Sequence, residues 1–168
     1  MCLLSKLFLD HKTVYYDIEP FMFYVLTEAG QDLEGKDVEH YVGYFSKEKS
    51  SYENFNLSCI MIVPPFQKKG YGRLLIEFSY ELSKIEGKIG GPERPLSDLG
   101  LIGYRSFWQA ALLMILRENK GGATMTIRDL SIMTGIKQED VVAALSHMGM
   151  IRFWRGENIV RYSSNDFM

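Results

Sequence analysis

Apolar residues change their spacing along this chain, and each change marks an element. Leu57 to Val63 is almost uniformly apolar, which predicts a strand covered on both faces. Pro64-Pro65 ends it, because proline cannot supply a ladder N–H. From Tyr71 the period becomes helical: Leu74, Leu75, Phe78, Leu82 and Ile85 fall on one stripe, with Glu77, Glu81 and Lys84 elsewhere. Gly87 to Gly91 breaks that helix, and the proline- and glycine-rich stretch Gly91 to Gly103 predicts an ordered loop. Helical spacing resumes from Tyr104 to Leu116 through Phe107, Trp108, Ala111, Leu112 and Ile115.

The ends of the chain read differently. Leu3 to Leu9 fits a helix turn or a strand entry. Thr13 to Asp17 and Pro20 to Thr27 are aromatic and β-branched, predicting a hairpin; Glu28 to Glu39 predicts an exposed loop, His40 to Ser46 a third strand and Lys47 to Asn54 a turn. Asn119 to Ala123 resembles a linker. After it, Thr126 to Asp129 forms a capping-box pattern before a short helix, and Thr134-Gly135 a turn. A helix from Gln138 to Met148 should bury Val141, Val142 and Leu145. Ile151 to Trp154 and Ile159 to Tyr162 should pair around Arg155 to Asn158. Helix, turn, helix and hairpin make a winged-helix pattern. The expected division is an α/β (α+β) core over residues 1–118 and a winged-helix-like subdomain over 119–168.

Composition narrows the classes. The 168 residues are 46% hydrophobic and 24% charged, with a net charge of -2, values that suit a folded domain and give no polybasic surface for nucleic acid or membrane. No apolar run approaches the roughly 20 residues that cross a bilayer. The start, MCLLSKLFLDHK, lacks the features of a signal peptide. Cys2, Cys59 and the three histidines show no metal-ligand spacing, so the expectation is no disulfide, no metal bound by this chain and a reducing intracellular setting.

Candidate chemistry centres on Gln67-Lys68-Lys69-Gly70-Tyr71-Gly72, between strand and helix. Glycines let backbone approach a ligand closely, and the N–H groups of a first helical turn favour a phosphate. Lys68, Lys69 and Arg73 add positive charge. No Gly-Lys-Ser/Thr follows, which excludes a P-loop, and the dinucleotide fingerprint lacks its first glycine. A plain glycine turn with a solvated basic edge fits the motif equally well.

Longer blocks are more specific. LFLDHKTVYYDIEPFMFYVLTE, VGYFSKEK, SCIMIVPPFQKKGYGRLLIEFSYELSK and GGPERPLSDLGLIGYRSFW resemble, in order, the MYST family of histone lysine acetyltransferases, from about Cys2 through Trp108. The resemblance implies an N-acetyltransferase-like, mainly antiparallel sheet flanked by helices, with acetyl-CoA as co-substrate. It implies histone tails on nucleosomes as substrate, a chromatin-modifying complex as partner and a nuclear location. It places cofactor contacts at Ile60, Met61 and Ile62 (backbone along the pantetheine arm), at Gln67, Lys68, Lys69, Gly70, Tyr71, Gly72 and Arg73 (pyrophosphate), and at Ser97 and Ser106. Lys12 matches a lysine that the family acetylates on itself. Gly91 stands where serine is usual in the family's glutamate motif, and Gly103 replaces a serine common before Tyr-Arg. The family's zinc-binding finger normally precedes the first strand, and its ligands are absent here, as expected of a fragment or of a member without the finger.

Acetyl transfer to lysine needs a base, because the ε-amine has an ordinary pKa of about 10.4, and it needs a polarised thioester carbonyl. The resemblance makes Glu93, between Pro92 and Arg94-Pro95, the catalytic base; a carboxylate in a partly apolar cleft is the better base near neutrality. Cys59 matches the family's active-site cysteine. It either accepts the acetyl group or only lines the site while lysine attacks directly. Direct attack is favoured, since a thiol on an apolar strand is a blunted nucleophile. A non-catalytic acyl-CoA-binding scaffold is the rival reading, which the presence of both Glu93 and Cys59 disfavours; a small-amine acetyltransferase is a weaker third. The C-terminal helix from Lys137 carries few basic side chains, so the reading there is packing or partner contact, with Arg152, Arg155 and Arg161 the best argument for DNA.

Overall fold

The computed structural model describes residues 18–119, 125–154 and 157–160. Phe21–Gln31 (β1) and Asp37–Glu48 (β2) pair antiparallel from Phe21↔Glu48 to Gln31↔Asp37. The acidic stretch Glu28 to Glu39, expected as a loop, is therefore mostly ladder. Exposed side chains cost a strand nothing when its backbone is paired, and cross-strand bonds from Thr27 Oγ1 to Glu39 and from Gln31 Nε2 to Asp37, both 3.2 Å, reinforce it. Only residues 32–36 turn the chain. There Asp32 Oδ1 accepts the N–H groups of Glu34 and Lys36, and Gly35 supplies a φ of 78°. The segment after Pro20 thus pairs with the strand that follows it; Thr13 to Asp17 lies outside the described residues.

The apolar run Leu57 to Val63 is two strands rather than one. Phe55–Leu57 (β3) and Cys59–Ile62 (β4) are separated at Ser58. Ser46, wholly buried on β2, causes the break: its carbonyl accepts the Ser58 N–H at 2.7 Å and its hydroxyl oxygen accepts the Cys59 N–H at 3.2 Å. β4 joins a sheet of order β1-β2-β4, whereas β3 pairs parallel with Gly91–Pro92 (β5). Cys59 and Met61 are buried, but Ile60 and Ile62 are only half-buried, so the second face of β4 is less covered than its composition suggests.

A one-turn 3-10 helix, Pro64–Phe66, follows β4 and leads to Tyr71–Ile85 (α1). Its buried face is Leu75, Ile76, Ser79, Tyr80 and Ser83. The expected stripe is displaced: Leu74, Phe78 and Ile85 are exposed. Small serines allow close approach here, and each satisfies its hydroxyl within the helix, Ser79 on the Ile76 carbonyl and Ser83 on the Ser79 carbonyl.

Asp98–Glu118 (α2) begins inside the stretch expected to be loop. Ser97 caps it, accepting the Gly100 N–H at 3.1 Å. Gly103 sits in the helix because a Cβ there would stand 3.2 Å from Ile76 Cδ1, so its absence brings α2 close to α1. By length and composition alone α2 could cross a membrane, contrary to expectation. In this fold Tyr104, Phe107, Trp108, Leu112, Ile115 and Leu116 make it the central core helix.

Ile127–Thr134 (α3) opens on the expected capping box of Thr126 and Asp129. Gly135, at φ 73°, turns the chain into Gln138–His147 (α4). α4 buries Val141 and Leu145 as expected, with Asp140 and Ala144; Val142 is half-buried. Ile151–Trp154 (β6) pairs with Glu157–Val160 (β7) from Ile151↔Val160 to Trp154↔Glu157, so Glu157 and Asn158 lie in the strand rather than the turn. One apolar cluster joins Ile76 and Tyr80 of α1, Trp108 and Leu112 of α2, Leu130 of α3 and Val141 and Leu145 of α4. Inside it, Trp108 Nε1 donates to Tyr80 OH at 2.8 Å.

Candidate active site

The candidate site lies along the edge of β4 that faces away from β2. Val63 N–H donates to the Val42 carbonyl, and the Met61 carbonyl faces Gly43. Antiparallel alternation then turns the backbone groups of Ile60 and Ile62 to the outer edge. Along β3 the outer edge is filled by β5, whose last bond is Glu93 N–H to the Leu57 carbonyl at 2.9 Å. Beyond Glu93 the chain leaves for α2, and no described strand pairs with the outer edge of β4. A slot about four residues long results, with Glu93 at its entrance. Of the three strand residues expected to offer backbone, Ile60 and Ile62 face the slot, and Met61 turns inward.

At the far end the chain meets the start of α1. Gln67 Nε2 donates to the Ile62 carbonyl at 2.9 Å, tying the loop to the strand. Lys68 (φ 60°) and Gly70 (φ 91°) both adopt left-handed backbone, and Gly70 is the N-cap residue. Gly70 has no side chain with which to cap the helix, and no acidic residue occupies its first turn. The N–H groups of Tyr71, Gly72 and Arg73 therefore converge where the helix dipole favours an anion. Space around Gly70 is open. Lys69 Nζ stands 5.1 Å from the centroid of the Phe66 ring, and Tyr71 packs edge-on to Phe66. Slight desolvation and a hydrogen bond with Glu28 push the Tyr71 hydroxyl above its ordinary value.

The remaining candidates are placed as follows. Cys59, first residue of β4, is 3% exposed. Glu93 is half-buried directly after β5. Ser97 is an exposed N-cap and Ser106 lies on the exposed side of α2. Lys12, Arg155 and Arg161 lie outside the described residues, and Arg152 is exposed. The fold thus brings Glu93, Ile60, Ile62 and the glycine loop to one edge, with Cys59 buried at the start of the same strand. A groove of about 520 Å³ between α2 and α3, lined by Ile115, Met125 and Met133 among others, is not part of that edge.

Sequence reasoning missed two features. Ser46 seats Ser58 and Cys59. Arg94, adjacent to Glu93, donates through Nη2 to Oδ1 of Asp140, a carboxylate 1% exposed on α4. The available signal was an acid on the face of α4 that also carries Val141 and Ala144. Burial pushes the Asp140 carboxyl up, and Arg94 pulls it back down.

An antiparallel sheet with an open edge strand, beside a short parallel pair and followed by an anion-ready helix start, is an N-acetyltransferase-like α+β architecture. The chain belongs to the MOZ/SAS family, whose model matches residues 1–168. It is 56% identical over 163 residues to the Histone acetyltransferase Tip60 homolog of Caenorhabditis elegans, covering 95% of this chain and 34% of that protein. It is 51% identical over 164 residues to Histone acetyltransferase MOF of Drosophila melanogaster, covering 98% and 19%. It is 54% identical over 160 residues to Histone acetyltransferase of the MYST family 1 of Arabidopsis thaliana, covering 95% and 34%. The chain therefore spans about a third or less of the length of these relatives.

Proposed function

We propose that this chain transfers the acetyl group of acetyl-CoA to a histone lysine ε-amine, as the names of its relatives suggest. The observation that carries the reading is the slot on β4, with Glu93 at its entrance and the uncapped start of α1 at its end. An extended pantetheine arm adds to an open strand edge as a further strand would, here through Ile60 and Ile62. The N–H groups and positive side chains from Gln67 to Arg73 hold the pyrophosphate, and Ser97 and Ser106 approach the cofactor from α2.

In this mechanism Glu93 removes the proton from the lysine ammonium. The neutral amine attacks the thioester carbonyl, and coenzyme A leaves as the thiol. Cys59 lines the site; its burial and its place on an apolar strand favour direct attack over an acetyl-cysteine. Nucleosomal histones within a chromatin complex, in the nucleus, are the proposed setting. Residues 119–168 act through packing and partner contact, and the acidic first turn of α4 argues against DNA reading.

Acetyl-CoA and a histone H3 or H4 tail peptide test the reading. Time-dependent peptide acetylation is expected. Tight acetyl-CoA binding with no transfer to either peptide would replace it with the scaffold reading.

A further inference from the structure

The stretch carrying Glu93 is held from one side by the turn between α3 and α4 and the first turn of α4. Gly90 N–H donates to the Gly135 carbonyl at 3.0 Å, and Gly90 and Ile136 form a parallel bridge. Lys137 Nζ lies 4.8 Å from the centroid of the Phe55 ring, on the strand that pairs with β5. Asp140 takes Arg94 through Oδ1, while its Oδ2 is buried without a hydrogen-bond partner among the described residues. That second oxygen faces Gly91: a Cβ on Gly91 would stand 3.1 Å from it. Two tethers thus bracket residues 90–94, at Gly90 and at Arg94, and the Lys137 contact holds the neighbouring strand.

Asp140 is an expensive residue to place there. A buried carboxylate must be compensated by charge and hydrogen bonds. Arg94 supplies one partner, and the helix N-terminus, where Asp140 is the third residue, supplies a favourable dipole. Lys137 adds a weaker favourable charge and Glu139 an opposing one, while Tyr80 and Tyr104 lie close enough for the carboxylate to push both hydroxyls further up. An apolar residue would serve the core as well. What a carboxylate alone can do is fix Arg94, and so the backbone on either side of Glu93.

We propose that Asp140 is a positioning residue for the acetyl-transfer step, acting through Arg94 to hold Glu93 at the mouth of the β4 slot. The inference rests on Glu93 being the base. It gives the C-terminal helices a role in catalysis without contact to substrate or cofactor. Because the slot and the glycine loop belong to other elements, loss of the clamp leaves cofactor binding in place and misplaces the base.

The full chain is tested as Asp140→Asn, Arg94→Met, Glu93→Gln and the Asp140→Asn/Glu93→Gln pair, with Val141→Ala as a destabilised control on the same helix. Measured per folded molecule, Asp140→Asn and Arg94→Met are expected to lower kcat about 10- to 100-fold, with the KM for acetyl-CoA changed less than about twofold. Asp140→Asn should add no further loss to Glu93→Gln, and Val141→Ala should keep kcat while lowering the unfolding midpoint. Unchanged kcat in Asp140→Asn, or a loss no different from that of Val141→Ala, overturns the proposal while leaving Glu93 as base. Full activity in Glu93→Gln overturns both. Should Asp140→Asn fail to fold, Arg94→Met decides by the same criteria.

Discussion

The Glu93 N–H donates to the Leu57 carbonyl at 2.9 Å, two residues before Cys59. This one bond sets where β5 stops and where the open edge of β4 begins. It also ties the proposed base to the end of β3, which a single residue separates from β4 and the proposed thioester site.

The slot depends on a tight seam between β2 and β4. A Cβ on Gly43 would fall 2.2 Å from the Met61 carbonyl oxygen, a backbone atom with little room to give. Gly43→Ala should destabilise the chain by about 3 kcal/mol or more, read as a shift in the denaturation midpoint, and should weaken acetyl-CoA binding in whatever remains folded. A neutral Gly43→Ala would mean that β4 does not lie where described.

The glycine loop should respond in binding rather than in chemistry. Gly70 holds φ 91°, which costs a side-chain-bearing residue about 1–2 kcal/mol. Gly70→Ala is expected to raise the KM for acetyl-CoA several-fold while kcat changes less. Steady-state kinetics checks this, and a loss confined to kcat would contradict it.

Acid should loosen the far end of the sheet. Lys47, 8% exposed on β2, donates to Glu86 at the end of α1. That bond is the main cause holding the Glu86 carboxyl below its ordinary value of 4.5. A folded-state value below the unfolded one means stability that is present above the unfolded value and lost as pH falls through the folded one. The unfolding midpoint should therefore drop below about pH 4.5, and drop less in Glu86→Gln, which starts about 1 kcal/mol less stable because Glu86 is partly exposed. Identical pH profiles would remove the pair from the account.

Cys59→Ser should keep most of the turnover, because serine preserves the strand and direct attack does not use the thiol. Rapid-quench measurement of the first turnover checks this. An acetylated protein intermediate that disappears with Cys59→Ser, together with turnover, would establish the acetyl-cysteine route instead.

Much of this was legible in the chain. Strand, proline break, glycine turn and helix around Leu57 to Ile85 were all readable, because proline and glycine punctuate the backbone directly. Other parts depended on tertiary context. Ser79 and Ser83 lie buried where Leu74 and Phe78 do not, since two elements can approach closely only over small side chains; hydrophobicity alone finds Leu75 and Leu82 on α1 but not the serine face. The ladder through Glu28 to Glu39 was hidden because its side chains face water while its backbone is paired. The break at Ser58 arises from Ser46, twelve residues away, which no local pattern displays. Glu93 and Cys59 carried meaning only through the family resemblance. Asp140 carried none until α4 was seen beside Arg94.

The most direct test joins binding and chemistry in one variant. Glu93→Gln should bind acetyl-CoA within about twofold of the unaltered chain by calorimetry, because the slot and the glycine loop are intact. Its single-turnover acetylation of a histone peptide near neutral pH should fall at least about 100-fold. Single-turnover acetylation unchanged by Glu93→Gln would contradict the assignment of Glu93 as the base at the mouth of the slot.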